Sequence, residues 1–177
     1  PKLYTVEIEG ETFRYGVRTF GFYPDERGFQ LNGRRVPVRG MCLHQDFDVL
    51  GNVWNESACR RRLLKLKEVG CNAIRMAHYR HAAGFYDLCD ELGFLVMDEA
   101  FDQWNAAFNE NDYHRLFGRW HERDLRALVR SNRNHPSIVL WGIGNEIAEQ
   151  RGDLGGYDIT LSETTGKNHR PTGREEE

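Results

Sequence analysis

From Pro37 onward the chain repeats one pattern, and that pattern leaves few folds open. A short apolar run, a stretch with helical spacing and a glycine stop follow one another: a strand over 38–44, a helix over 55–69 ending at Gly70, a strand over 72–78, a helix over 82–92 ending at Gly93. A third strand over 94–97 runs into Asp98-Glu99, a third helix spans 116–130, and a fourth strand spans 138–143. The helical stripes are Cys59, Leu63, Leu66 and Val69 in the first helix, then Ala82, Tyr86, Cys89 and Leu92 in the second. The third runs through Phe117, Trp120, Leu125, Leu128 and Val129. Strands joined by helices must run parallel, because a crossover of that length returns the chain to the same end of the sheet. Four such steps predict an α/β chain with a parallel sheet, open or closed into a barrel.

The first 37 residues have another rhythm. Residues 3–9 alternate, as do 13–20, with Gly10-Glu11 between them as turn material, which predicts a β-hairpin. Two strands are marginal alone in water, so residues 1–22 are expected to be the last strands of a β-sandwich whose earlier part is missing. A second hairpin is expected over 29–37, since Asn32-Gly33 is the favoured pair for a type I′ turn. The barrel-type segment is assigned to 23–150. The final stretch, 151–177, has no helical stripe and few large apolar groups, and is expected to be irregular or disordered.

The strand ends carry the chemistry-bearing residues. The run Ile138-Val139-Leu140-Trp141-Gly142-Ile143-Gly144 is apolar on both faces and stops in Asn145-Glu146. Strand carboxyl ends are where parallel α/β folds place their sites. The same pair would serve equally as the N-cap and first-turn acid of a helix. His44 follows the first strand, His78 the second and Asp98-Glu99 the third. A single histidine there is more often structural than catalytic; four ends in agreement favour a site. In Ala73-Ile74-Arg75-Met76-Ala77 the alternation puts Ile74 and Met76 on one face and Arg75 on the other. Large aliphatics suit the helix layer, so Arg75 should point inward and need a carboxylate, either a structural one such as Asp98 or Glu99 or a catalytic one it positions.

Composition removes several classes. Lys and Arg total 24 against 27 acids, a net charge of −3 with no basic stripe, which argues against a nucleic-acid partner. No apolar run approaches the roughly 20 residues of a membrane span, and no N-terminal signal pattern is present. Cys42, Cys59, Cys71 and Cys89 fall singly among apolar neighbours and read as small core residues in a reducing, cytoplasmic compartment; a missing N-terminus would leave periplasm or secretion open. Asn55 opens the first helix as its N-cap, although Asn55-Glu56-Ser57 also fits a glycosylation sequon. His78-x-x-His81 is a weak metal spacing, and Gly142-x-Gly144 lacks the third glycine of a dinucleotide loop because Ile147 stands there. No metal and no cofactor are expected.

Taken in order and spacing, the motifs resemble glycoside hydrolase family 2, the β-galactosidase, β-glucuronidase and β-mannosidase group, from about Tyr4 to Gln150. The likeness rests on Tyr15-Gly16-Val17-Arg18, Phe29 to Gly33, Arg39-Gly40 with His44, Asn72 to Arg75 with His78-Tyr79, and Leu88 to Gly93. Asp98-Glu99 and Asn134-His135-Pro136-Ser137 running to Trp141 and Gly144-Asn145-Glu146 complete it. The wording Cys42-Leu43-His44 and Asp98-Glu99-Ala100-Phe101-Asp102 is most similar to bacterial β-galactosidases. The resemblance implies a retaining glycosidase with an immunoglobulin-like β-sandwich ahead of a (β/α)8 TIM barrel, of which this chain would hold the first half. It implies Glu146 as general acid/base, Asn145, His44 and His78 as substrate-binding residues, and Arg75 as the residue that positions the nucleophile. Asp98, Glu99 and Trp104 would line the site.

A retaining enzyme needs two carboxyls roughly 5–5.5 Å apart, one protonated for the leaving group and one ionised to attack the anomeric carbon. The family's nucleophile lies on a seventh strand, whereas this chain ends soon after its fourth. Gln103 and Asn105 offer no acid-and-histidine pair for the magnesium some β-galactosidases use. An incomplete copy, cut at both ends and with little or no activity alone, is therefore expected. The partner would be a β-linked carbohydrate, and the full-length parent a homo-oligomer. The alternative is a non-catalytic carbohydrate-binding or partner-binding half-barrel that uses Trp54, Trp104 and Trp141 as stacking surfaces.

Overall fold

The computed structural model describes residues 1–147; the expected irregular tail over 151–177 lies outside them. The described chain divides into two units. The first holds Pro1–Ala77, His81–Asp98 and Ser131–Trp141; the second holds His78–Arg80, Glu99–Arg130 and the chain from 142 on.

In the first unit the hairpin pairs β1 (Tyr4–Ile8) with β2 (Glu11–Tyr15), Ile8 opposite Glu11. The turn is thus Glu9-Gly10, one residue earlier than expected, and both residues have positive φ, 52° and 83°. That is the type I′ signature, and it places the permissive glycine second. The alternating run expected over 13–20 is two strands: β2 stops at Tyr15, and β3 (Phe20–Phe22) pairs antiparallel with β4 (Phe29–Leu31). β4 turns through Asn32-Gly33, φ 50° and 75°, into β5 (Arg34–Arg35), as the Asn-Gly pair requires.

The main sheet has the order β6-β7-β8-β9 from β6 (Gly40–Leu43), β7 (Ala73–Met76), β8 (Leu95–Glu99) and β9 (Ile138–Gly142). β6, β7 and β8 pair in parallel. Val96 N donates to Ser137 O at 2.8 Å beside β9. The connecting helices are α1 (Glu56–Glu68), α2 (Ala83–Leu92) and α3 (His114–Asn132). α1 starts where Asn55 Oδ1 accepts from Ala58 N at 3.0 Å, the expected cap, and α2 ends on Gly93 in the left-handed region.

Alternation sorts the sheet's faces. Ile74, Met76, Val96 and Ile138 pack with Cys59 and Leu63 of α1 and with Phe85, Tyr86, Leu88 and Cys89 of α2. Burial of a side chain of the size of Phe85 contributes roughly 1.5–3 kcal/mol. On the opposite face Ala73 and Leu95 cluster with Phe29, and Leu31, Val36 and Val139 pack around them. Two expectations fail here. Val69 is 77% exposed, because it caps α1 instead of continuing its stripe. Cys42 is exposed on the outermost strand, while Cys59, Cys71 and Cys89 are buried; all four are free thiols.

Candidate active site

β8 places two carboxylates side by side and sends them to different faces. Asp98 shares the helix side with Val96, is fully buried, and accepts hydrogen bonds from Tyr86 Oη at 2.8 Å and Asn132 Nδ2 at 2.9 Å. The expectation that Asp98 lines a site is therefore corrected: strand alternation gives its side chain to the helix layer of the first unit. Glu99 belongs to the second unit, is also fully buried, and its Oε1 lies 2.7 Å from His78 Nδ1.

The second unit also holds the stretch after β9. Three residues of the loop after β8 clamp it. Asp102 Oδ1 accepts from Asn145 Nδ2 at 3.0 Å, and Asp102 O accepts from Glu146 N at 3.0 Å. Trp104 Nε1 donates to Ile143 O at 2.9 Å, and Ala100 N donates to Gly142 O at 3.0 Å. Gly144 is required between them: a Cβ there would overlap Ile147 Cδ1 and come within 3.1 Å of Trp104 Nε1. The stretch 142–146 is thereby held by four hydrogen bonds, one of them on the Glu146 backbone and one on the Asn145 side chain, and by one tight approach. Asn145 and Glu146 are not themselves helical, and a helix that they would open falls on residues outside the described ones.

The remaining sequence-derived residues lie in the first unit. His44 follows β6, and its carbonyl accepts from Arg62 Nη1 at 3.1 Å. Arg75 emerges on the inner sheet face as alternation predicts, with Nη1 3.7 Å from Cys42 Sγ, on the wall of an apolar cavity of about 380 Å³. Of the three candidate stacking tryptophans, Trp54 packs against the helix-layer core and Trp104 is committed to Ile143 and to a stack on Phe117 at 5.9 Å; Trp141 is 40% exposed.

Sequence reasoning missed Asp102, which sits in a loop where no periodicity marks it. It also missed a cavity of about 460 Å³ in the second unit, walled by His78, Phe101, Asp102, Tyr113 and Leu128 among others. One trio among the described residues, Asp87, Asp90 and His135, has the spacing of metal ligands. Its atoms are already engaged. Asp90 bonds His135 Nδ1 at 2.6 Å and Ser137 N at 2.9 Å, and Asp87 bonds Arg14 at 3.0 Å, so it reads as a structural lock.

Residues 25–172 match the model of the glycosyl hydrolases family 2 TIM barrel domain. The chain belongs to that family. The parallel sheet with alternating helices is accordingly part of a family 2 TIM barrel, as the resemblance implied. Among relatives of this family 2 chain, the β-galactosidase BoGH2A of Bacteroides ovatus is 47% identical over 148 residues, which are 84% of this chain and 17% of that protein. A β-glucuronidase of Bacteroides fragilis is 35% identical over 156 residues, 81% of this chain and 21% of that protein. The structure of a β-glycosidase from Bacteroides vulgatus superposes with a TM-score of 0.76 at 36% identity, covering 81% of this chain and 18% of that one. The family 2 chain thus spans about a fifth of the length of these relatives.

Proposed function

We propose that this family 2 chain supplies the acid/base half of a retaining β-glycosidase, acting on β-linked glycosides of the galactoside type. The observation that carries the reading is the clamp of the Asn145 side chain and the Glu146 backbone onto Asp102, because general acid catalysis needs the acid to project from a chain held at a fixed place. In this mechanism Glu146 gives its proton to the glycosidic oxygen as the bond to the anomeric carbon breaks. It then takes a proton from the water that releases the sugar from the nucleophile. Asn145 binds the 2-hydroxyl, His78 and His44 bind further hydroxyls, and Arg75 holds the nucleophilic carboxylate. The hydrogen bond of His78 Nδ1 with the Glu99 carboxylate fixes the ring's orientation and tautomer.

The resemblance assigns the nucleophile to a seventh strand, so azide can stand in for it in a test. With azide present, the 177-residue chain is expected to convert aryl β-galactosides to the galactosyl azide. Glu146→Gln should slow release of phenol, a poor leaving group, by about 10²-fold or more, and leave release of dinitrophenol, which needs no proton, nearly unchanged. No azide-dependent cleavage, or phenol release indifferent to Glu146→Gln, would overturn the proposal.

A further inference from the structure

At the amino ends of β8 and β9 the first unit holds a cavity of about 140 Å³, walled by Lys2, Gly16, Arg18, Asp90, Gly93 and Ser137 among others. Its walls approach closely: a Cβ on Gly16 would come within 2.7 Å of Pro136 Cβ, across the same cavity. The volume is below the roughly 300 Å³ at which sites for drug-sized ligands begin, and above the space one water needs. A small group of a few heavy atoms fits.

Two of the wall residues carry buried polar atoms that the protein leaves without partners. Ser137 is 5% exposed and its Oγ makes no hydrogen bond, and neither does Arg18 Nε. Arg18 Nη2 donates to Ile138 O at 2.5 Å, and its guanidinium lies 4.9 Å from the centre of the Phe20 ring. Among the described residues no carboxylate forms an ion pair with it. Burial accordingly pulls Arg18 below the usual range of an arginine, and Asp90 offsets this only in part. Both oxygens of Asp90 are committed elsewhere, to His135 Nδ1 at 2.6 Å and to Ser137 N at 2.9 Å. A buried donor left unmet is costly. Since the fold offers these two atoms nothing, their partner has to come from the cavity.

Charge selects the occupant. Lys2 and Arg18 stand on the wall, and Lys67 Nζ donates to the carbonyl of the wall residue Gly93 at 2.8 Å, against Asp90 as the single wall acid. An anion with several oxygens can accept from Arg18 Nε and from the Ser137 hydroxyl together, and such charge-assisted bonds are the strong ones. We infer that this cavity binds one small oxyanion of the phosphate type. The amino ends of barrel strands serve stability and not chemistry, so the bound oxyanion stabilises the fold by mass action and takes no part in glycoside cleavage. The inference is independent of the role of Glu146.

The test is titration calorimetry of the 177-residue chain with inorganic phosphate, sodium chloride holding the ionic strength constant, alongside urea denaturation with and without phosphate. One saturable site is expected, with a higher urea midpoint when it is filled. Arg18→Gln should weaken phosphate binding by about 10-fold or more, and Ser137→Ala by about threefold or more. Arg18→Gln also removes the bond to Ile138 O, so Ser137→Ala decides if that variant fails to fold. The Ser137 hydroxyl has no partner in the protein; its loss should leave the phosphate-free midpoint unchanged or higher while shrinking the gain from phosphate. A hydroxyl with a structural role would lower the phosphate-free midpoint instead. Absence of saturable phosphate binding would overturn the inference. So would equal binding of chloride, which would mark an adventitious ion only, or phosphate affinity and midpoint gain that survive Ser137→Ala.

Discussion

Asp102 does two jobs with two different groups, its carbonyl holding the Glu146 backbone and its carboxylate holding the Asn145 amide. Replacing it separates them. Asp102→Asn keeps a side-chain oxygen for Asn145, so it should retain most of the azide-dependent phenol release, whereas Asp102→Ala should lose at least 10-fold while dinitrophenol release changes little. Tyr86→Phe probes the structural acid instead. It leaves the buried Asp98 with one donor fewer and should cost about 1–3 kcal/mol in urea denaturation, with no change in glycoside binding. At this scale the sequence was legible where an acid follows an apolar run, as with Glu99 and Glu146. It was misleading at Asp98, although the alternation that predicts the inward face of Arg75 also assigns Asp98 to the helix side. Asp102 stood out only as part of a motif, and its contact with Asn145 and Glu146 was not legible, because a loop residue's role depends on what the fold brings beside it.

Among the elements, hairpins and helix ends were read from local chemistry and came out close to the structure. Asn55 is the cap it was expected to be, and Asn55→Ala should destabilise the chain by about 0.5–2 kcal/mol, measurable as a lower urea midpoint. The first hairpin was displaced by one residue because its sequence offers a single glycine, leaving Glu9 to adopt φ 52° at the other turn position. A non-glycine residue there costs roughly 1–2 kcal/mol, and asparagine tolerates it best. Glu9→Asn should therefore raise the unfolding midpoint. The pairing of β3 with β4 was not legible, since three-residue strands carry too little alternation to show a period.

For the molecule as a whole, acid is the expected weakness, and two groups set its windows. Burial, with smaller contributions from His44 and Arg62, brings His81 down to about 4, against the effect of its bond to Ala77 O. Buried neutral in the fold and protonated when unfolded, it contributes stability that is complete above its ordinary value near 6.5. That stability, on the order of 3 kcal/mol, is lost as the pH falls towards 4. Urea midpoints at pH 7 and pH 5 should differ, and His81→Gln should shrink the difference. Asp112 acts lower down: burial alone would raise it, but donors from Asn109, His114 and Phe108 outweigh that and bring it to about 2. Its contribution holds above pH 4 and goes as the pH falls through 2. The parallel α/β architecture was plain from the strand–helix rhythm, because each step repeats the same constraint. The division into two units was not, because the segments of the second leave three separate strand ends.

The neighbouring acids of β8 give that strand an unusual intolerance. Asp98 answers to Tyr86 and Asn132, and Glu99 answers to His78. A one-residue insertion or deletion inside the strand would exchange them, taking the carboxyl held by Tyr86 and Asn132 off the helix side and putting the carboxyl that meets His78 there. Length variation in descendants of this sequence should consequently spare 95–99 and fall instead in exposed loops such as the turn at Glu9-Gly10.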